Sequence, residues 1–462
     1  MELAIPRAGA VREASLAVGF LGAIGIIAAN AVLHAGVVLA FIAGPLLVLF
    51  VLARPELGVW LVILLTPLEV IGPLSFSMSK AAKLALTLLV ATALLLTRRK
   101  DGTNQPDSYV WPFALIVISG FFSSLLAASP LTSLLGLASI AIFVLSYTAV
   151  RRSAVLTGKG TLLLRVLIWS AVLLTPLCFL QLTTGYSGVT SAAAEAEDAF
   201  GTVWPGISRA SAAFNGPNAA GAFFAVAAIA ALTHAIVHRQ RRLWYLLAAF
   251  LFVADVLTTF SRGALLGCIL GLAFACWAMR LLSRRRLVAL ALCSAVALAS
   301  LAATENVRKY LRIGADLVSV SPERVGAWQA AKVILKRNPV FGIGLYQFQT
   351  ASRGIAGVAD MPLHPHNGFL KALVEQGPAG GFAYLLFLWA FGRISRETLR
   401  TVVSTSQKWV LGAIAGAGIC LFTQELFDAN FTLGGSSMAI LFSCLLAIQT
   451  TTNSAGAEPE AA

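Results

Sequence analysis

The sequence predicts an all-α, polytopic integral membrane protein with roughly 12–14 transmembrane helices, and three observations predict it. Of its 462 residues, 58% are hydrophobic and only 12% are charged, and the mean hydropathy is +0.84. Apolar runs of about 17 to 25 residues recur, each long enough to cross a bilayer as a helix. Arg and Lys gather between alternate runs, as orientation in a membrane requires. Lipid offers no partner for backbone N–H and C=O groups, so such a chain spans as helices. A soluble fold of this size is excluded. The net charge of +14 is largely topogenic, and no nucleic-acid partner is implied.

In chain order, fourteen candidate spans start near residues 14, 36, 57, 81, 110, 133, 161, 217, 243, 263, 287, 378, 408 and 435. The first follows Arg7 and Arg12. Ala29-Asn30-Ala31 resembles a signal-peptidase site, but the many later spans make this segment a retained signal anchor. Residues 1–450 form a single membrane domain with no internal repeat, and the small, acidic tail 451–462 is expected to be disordered. Cys178, Cys268, Cys276, Cys293, Cys420 and Cys444 fall inside apolar runs without metal-ligand spacing, and behave as small core hydrophobes.

With both termini cytoplasmic, the inner loops carry Arg54, Arg98-Arg99-Lys100, Arg151-Arg152, Lys159, Arg239, Arg241, Arg242, Arg284 to Arg286, Arg393, Arg396 and Arg400. The outer side is poor in positive charge, so its exceptions are informative. Arg209 lies in an outer loop, Arg262 sits between two spans, and Lys80 and Lys83 flank another. The large outer loop 304–365 holds eight basic residues against four acidic ones. Arginine suits phosphate because its planar fork bonds two oxygens at once.

That loop predicts a helix of its own. Ser321-Pro322-Glu323 supplies a cap, a proline at the first helical position and an acid in the first turn, and Pro339 stops the helix after Asn338. Val325, Trp328 and Leu335 make an apolar stripe, suited to a membrane surface or to the roof of a cavity. Lys332, Lys336 and Arg337 grip anionic head groups, whereas Arg324 serves either head groups or a bound substrate anion. Gly342 and Gly344 form a turn, because the longer phosphate-binding glycine fingerprint is missing.

The loop ends in His364-Pro365-His366-Asn367. A short amphipathic helix, 366–377, lies between Pro365 and the Gly377-Pro378 break. A helix N-terminus favours neutral imidazole, so His366 can take a proton from a hydroxyl near pH 7. The bland alternative is a histidine capping a polar turn. Asn367 is a cap, Glu375 supports His366 from the far end of the short helix, and His364 positions or solvates the turn. Asp255 is placed to pair with Arg262, while Glu425 and Asp428 meet sugar hydroxyls or water. His234 and His238 are interfacial. Glu195, Glu197 and Asp198 lack a histidine or fourth ligand and form a solvated acidic loop, so no metal site is expected.

Four stretches together resemble the O-antigen ligase and O-antigen polymerase family of bacterial membrane glycosyltransferases. They are Phe214-Asn-Gly-Pro-Asn218 after Arg209; Phe260-Ser-Arg-Gly263 with Arg262; Arg324 to Phe348 with its Asn-Pro and Gly-x-Gly; and His366-Asn367 followed at fixed spacing by Gly377 and Gly380. The last is the most specific. The fourteen spans counted here exceed the family's usual dozen or so.

The resemblance implies a donor glycan linked through pyrophosphate to undecaprenol, in the outer leaflet of the inner (cytoplasmic) membrane. An acceptor hydroxyl attacks the anomeric carbon and undecaprenyl pyrophosphate leaves. The acceptor is lipid A-core in the ligases and another lipid-linked repeat in the polymerases. Carried over, His366 is the base, Arg262 and Arg324 contact the pyrophosphate, and Arg209 joins them. The active site faces the periplasm, membrane lipids surround it, and neither metal nor cofactor is implied. A transferase acting on protein hydroxyls shares the mechanism. A transporter is the rival class, but its charges belong at the membrane midplane, whereas here the distinctive ones gather at one face.

Overall fold

The computed structural model describes residues 47–68, 76–96, 108–153, 156, 159–184, 209–214, 216–280, 285, 322–353, 355, 364–402, 404–429 and 437–451. Among the described residues the architecture is all-α, with no β-strand. The helices are α1 Pro55–Leu65, α2 Phe76–Leu96, α3 Val110–Leu125, α4 Pro130–Arg152, α5 Gly160–Thr184, α6 Pro217–Val237, α7 Arg242–Thr258, α8 Arg262–Ala278, α9 Pro322–Arg337, α10 Phe348–Ala351, α11 Gly368–Thr401, α12 Thr405–Glu425 and α13 Ser437–Thr451.

By length and composition, three of these, α4, α5 and α6, are long and apolar enough to cross a membrane, and five shorter apolar helices accompany them. The expected spans near 14 and 287 lie outside the described residues, as do the acidic tail from 452, residues 304–321 of the outer loop, and Glu195, Glu197 and Asp198. The span expected near 36 is described only from residue 47. Where a span was expected near 57, α1 has 11 residues. At 1.5 Å per residue it is about 16 Å long, half a bilayer core. Lys83 on α2 donates to the Thr66 carbonyl just past its end, at 3.4 Å.

Helix α6 is the axis of the bundle. It is apolar all round and buried nearly all round, as a helix enclosed by others must be. Helices α5, α7, α8 and α12 pack around it. Helices α8 and α12 approach closely. A Cβ on Gly271 would stand 2.6 Å from the Gly416 carbonyl oxygen, and one on Gly416 would stand 2.6 Å from that of Gly271. One turn away, a Cβ on Gly267 would stand 2.6 Å from the Cys420 carbonyl oxygen. The backbones touch because no side chain separates them, the usual device where helices associate in lipid. This contact sets the start of α8, with Arg262, beside the end of α12.

Helix α11 is two rods. Gly377 (φ 71°, ψ −171°) breaks it, and Pro378 starts the second limb. A break frees carbonyls that must find new donors. Here Ile343 N–H donates to Val374 O at 3.1 Å, and Gly344 N–H to Glu375 O at 3.0 Å. The Gly342–Gly344 turn therefore caps the first limb of α11, and Gly342 (φ 71°) packs where a Cβ would lie 2.6 Å from Gly377 N. The turn also ties α9 to α11. Helix α9 starts and stops where the sequence predicts, but its buried face is Ala327, Ala330, Ala331 and Ile334. Val325 and Trp328, expected within one apolar stripe with Leu335, are 39% and 41% exposed. Small alanines permit the close seat on α11, so the larger side chains are left outward.

Two buried residues depart from expectation. Asp255 accepts from the Thr175 hydroxyl at 2.6 Å, so its near partner is on α5 and not Arg262. His234 is buried rather than interfacial, with its ring nitrogens 3.2 Å from Ala230 O and 3.1 Å from Thr161 O.

Replacing Gly377 by Ala forces a Cβ into the Val340 carbonyl at a left-handed φ. Gly392, in the second limb, has open space where its Cβ would be. Gly377→Ala is expected to lower the thermal midpoint in detergent, and Gly392→Ala to hold or raise it by removing helix-interior glycine. Thermal melting read by size-exclusion fluorescence checks both.

Candidate functional site

The site forms where one set of helix ends meets. Helices α5, α7 and α12 end there, and α6, α8 and the first limb of α11 begin there. The opposite end carries Arg151, Arg152, Arg239, Arg241, Arg242, Arg393, Arg396 and Arg400, at the other ends of alternating helices.

Arg209 is fixed first. Its Nε donates to Thr259 O at 3.0 Å, and Ala210 N–H donates to Thr258 O at 3.1 Å, which pins this segment to the end of α7. Its Nη2 donates to Asn218 Oδ1 at 3.3 Å. The amide of Asn218, in the first turn of α6, in turn donates to Asp428 Oδ2 at 3.0 Å. Arg262 opens α8 and is exposed; Ser261 caps the helix by accepting from Ala264 N–H. A Cβ on the next residue, Gly263, would lie 2.6 Å from Gln424 Oε1 and 3.2 Å from Phe427 Cβ. The arginine is thus one residue from the segment that carries Asp428.

The histidines enter from the other side. Asn367 caps α11, accepting from Leu370 N–H at 2.9 Å and donating to Leu426 O at 3.2 Å. This holds the start of α11 against the end of α12. His366, the residue before the cap, has φ 53°, an uncommon conformation for a side chain with a Cβ. Its backbone N–H donates to His364 Nδ1 at 3.2 Å, and the two rings lie with centroids 4.4 Å apart. His364 Nε2 lies 3.4 Å from Asp428 Oδ1.

Arg324 reaches the same place from α9. Trp328, one helical turn on and so on the same face, donates from its indole to Pro365 O at 3.1 Å. The Arg324 charge acts on His364. Burial pushes the His364 pKa down to about 4; Asp428 opposes the shift, while His366, Lys371 and Arg324 add to it. His364 is therefore neutral near pH 7.

Lys371 was missed in the sequence. It is buried on α11, its Nζ donates to Ala429 O at 3.4 Å, and it lies 5.4 Å from the centre of the Tyr346 ring. Four residues on, Glu375 faces Lys371 and accepts from the Tyr346 backbone. Glu375 thus braces the Gly342–Tyr346 turn from within α11. Ser123 donates to the Glu375 carbonyl, which brings α3 to the same face. The i, i+4 spacing of Lys371 and Glu375 on an otherwise apolar helix was the available signal. His364, His366 and Asp428 bring ligand-capable atoms within 4.8 Å of one another. The positive charges of Lys371 and Arg324 act on the same cluster and oppose a divalent cation there.

Residues 247–385 match the family described as O-antigen ligase. That segment is similar to the O-antigen ligase family. No curated protein matches it. The O-antigen ligase match takes in Arg262, Arg324, His364, His366 and Glu375, whereas Arg209, Asn218 and Asp428 lie outside it. The match supports a likeness to glycosyltransferase-type membrane proteins, and the apolar helices agree with a multi-pass chain. The site therefore draws on helices on both sides of the matched segment.

The depressed pKa of His364 has a consequence for stability. An unfolded chain takes up a proton near the ordinary value of 6.5, and the folded protein only near 4. His364 thus stabilises the fold fully above about pH 6.5, and that contribution falls away as pH drops from there toward 4. The thermal midpoint in detergent is expected to fall over this interval, less steeply in His364→Asn, and a pH series of melts measures it.

Proposed function

We propose that the protein is an O-antigen ligase, transferring a polysaccharide from undecaprenyl pyrophosphate to a sugar hydroxyl of lipid A-core in lipopolysaccharide biosynthesis. The observation that carries the proposal is the meeting of Arg209, Arg262, Arg324 and His366 at one end of the helix bundle, from segments far apart in the chain. That end is the periplasmic face, because the opposite end carries the clustered arginines that orient a chain toward the cytoplasm. Both termini are then cytoplasmic, and the membrane is the bacterial inner membrane.

In the proposed reaction the acceptor hydroxyl oxygen attacks the anomeric carbon of the donor. The bond from that carbon to the pyrophosphate oxygen breaks, and its electron pair leaves with undecaprenyl pyrophosphate. His366 takes the hydroxyl proton as attack proceeds, since a hydroxyl is a weak nucleophile until relieved of it. Negative charge grows on the leaving oxygen, so guanidiniums already in place favour the transition state over the ground state. Arg262 and Arg324 take this role, with Arg209 beside them. Each is worth on the order of 3 kcal/mol, by analogy with the loss of one oxyanion donor. Arginines supply the charge that a divalent metal supplies elsewhere, and no cofactor is needed.

Purified protein is mixed with lipid-pyrophosphate glycan and lipid A-core in the presence of EDTA. Glycan is expected on lipid A-core, and chain growth without that acceptor identifies a polymerase instead. His366→Ala is expected to lose transfer by about 1000-fold or more, and Arg262→Ala and Arg324→Ala by about 100-fold each, with all three recovered from membranes in normal amount. Transfer at the parental rate by His366→Ala removes the histidine from the role of base.

A further inference from the structure

His364 and His366 share one turn, and either ring is chemically able to act as a base. The hydrogen bonds around them give the two different tasks. The Nδ1 lone pair of His364 is taken up by the His366 backbone N–H, at 3.2 Å. A neutral imidazole carries its one proton on the other nitrogen. That nitrogen, Nε2, lies 3.4 Å from Asp428 Oδ1. The arrangement favours a proton on Nε2, facing that carboxylate.

The carboxylate holding His364 is itself held. Asp428 Oδ1 accepts from Ala429 N–H at 2.8 Å, and Oδ2 accepts from Asn218 Nδ2 at 3.0 Å. Asn218 Oδ1 accepts from Arg209 Nη2 at 3.3 Å. A continuous string thus runs from Arg209 through Asn218, Asp428 and His364 to the backbone of His366. Its last link falls on the residue with φ 53°. A left-handed conformation is costly for a side-chain-bearing residue, so it persists where neighbours over-determine it.

We propose that His364 is a positioning residue, and that Asn218 and Asp428 act through it to hold His366 in its left-handed turn, aligned with the arginine site. The proposal rests on the reading of His366 as the base. It makes Arg209 both an anion contact and the far anchor of the histidine.

The test separates positioning from catalysis by substituent. In His364→Asn, the side-chain oxygen still accepts the N–H two residues on, as in an Asx-turn. In His364→Ala, nothing does. Rates are measured with lipid-pyrophosphate glycan and lipid A-core across pH, alongside recovery and melting of each variant. His364→Asn, which keeps the acceptor for the His366 N–H but loses the link to Asp428, is expected about 10-fold lower in kcat with the parental pH profile, and His364→Ala about 30-fold lower with little change in KM. Equal, near-complete loss in both, with the acidic limb of the pH profile gone, makes His364 itself the base and overturns the proposal. Parental kcat in His364→Ala overturns it as well. If His364→Ala is not recovered folded, Asn218→Ala serves, expected about 10-fold lower in kcat, and an unchanged rate there is equally fatal. A separate reading does not need activity. In protein labelled with 15N-histidine, His364 is expected to carry its proton on Nε2 at pH 7, and a proton on Nδ1 overturns the string. A parental protein that moves glycan to neither acceptor, yet shows this tautomer, removes the functional reading and leaves the positioning geometry standing.

Discussion

The site is organised by one buried carboxylate. Asp428 lies just past the end of α12, almost wholly out of solvent; it accepts from the Ala429 backbone and the Asn218 amide, and faces His364 Nε2 at 3.4 Å. Burying a carboxylate costs several kcal/mol unless such donors compensate it. Once compensated, it works as a clamp, because each donor belongs to a different part of the chain. Asn218 opens α6 and His364 precedes α11. The carboxylate therefore fixes the distance between the segment bearing Arg209 and the turn bearing His366.

Two backbone features bring these parts within reach of it. The glycine contact between α8 and α12 removes side-chain thickness from one interface, so the first residue of α8 lies beside the residues leading to Asp428. The break at Gly377 shortens the first limb of α11 to a stub whose freed carbonyls bind the Gly342–Gly344 turn. That bond carries α9, and with it Arg324, toward the histidines. In both places a small residue allows backbone to meet backbone, and charged side chains are positioned as a result.

The electrostatic balance follows from the packing. Lys371 is buried among Glu375, Glu425 and Asp428, so acidic groups surround the one ammonium beneath the turn. Arg262 remains exposed and Arg209 and Arg324 only partly covered, which leaves guanidiniums accessible to an anion.

Much of this was legible in the sequence. Hydropathy determined the all-α class and the position of most described helices, because lipid forces every backbone polar group to be satisfied within its own segment. Charge asymmetry singled out Arg209, Arg262 and Arg324, and proline and glycine marked the ends of α9 and the break in α11. The partners could not be read there. Glu375 faces Lys371 and Tyr346, Asp255 was expected at Arg262 and meets Thr175, and His234 was expected at the interface and is buried. Asn218 and Asp428 are 210 residues apart and joined by one hydrogen bond. Local sequence carries propensity and periodicity, but a contact of that range is decided only when helices pack at a particular depth and rotation. The residue types were determined by the chain itself. That both histidines gather within 4.8 Å of Asp428, a residue from a different helix end, was decided by the tertiary fold, because only packing brings those helix ends together.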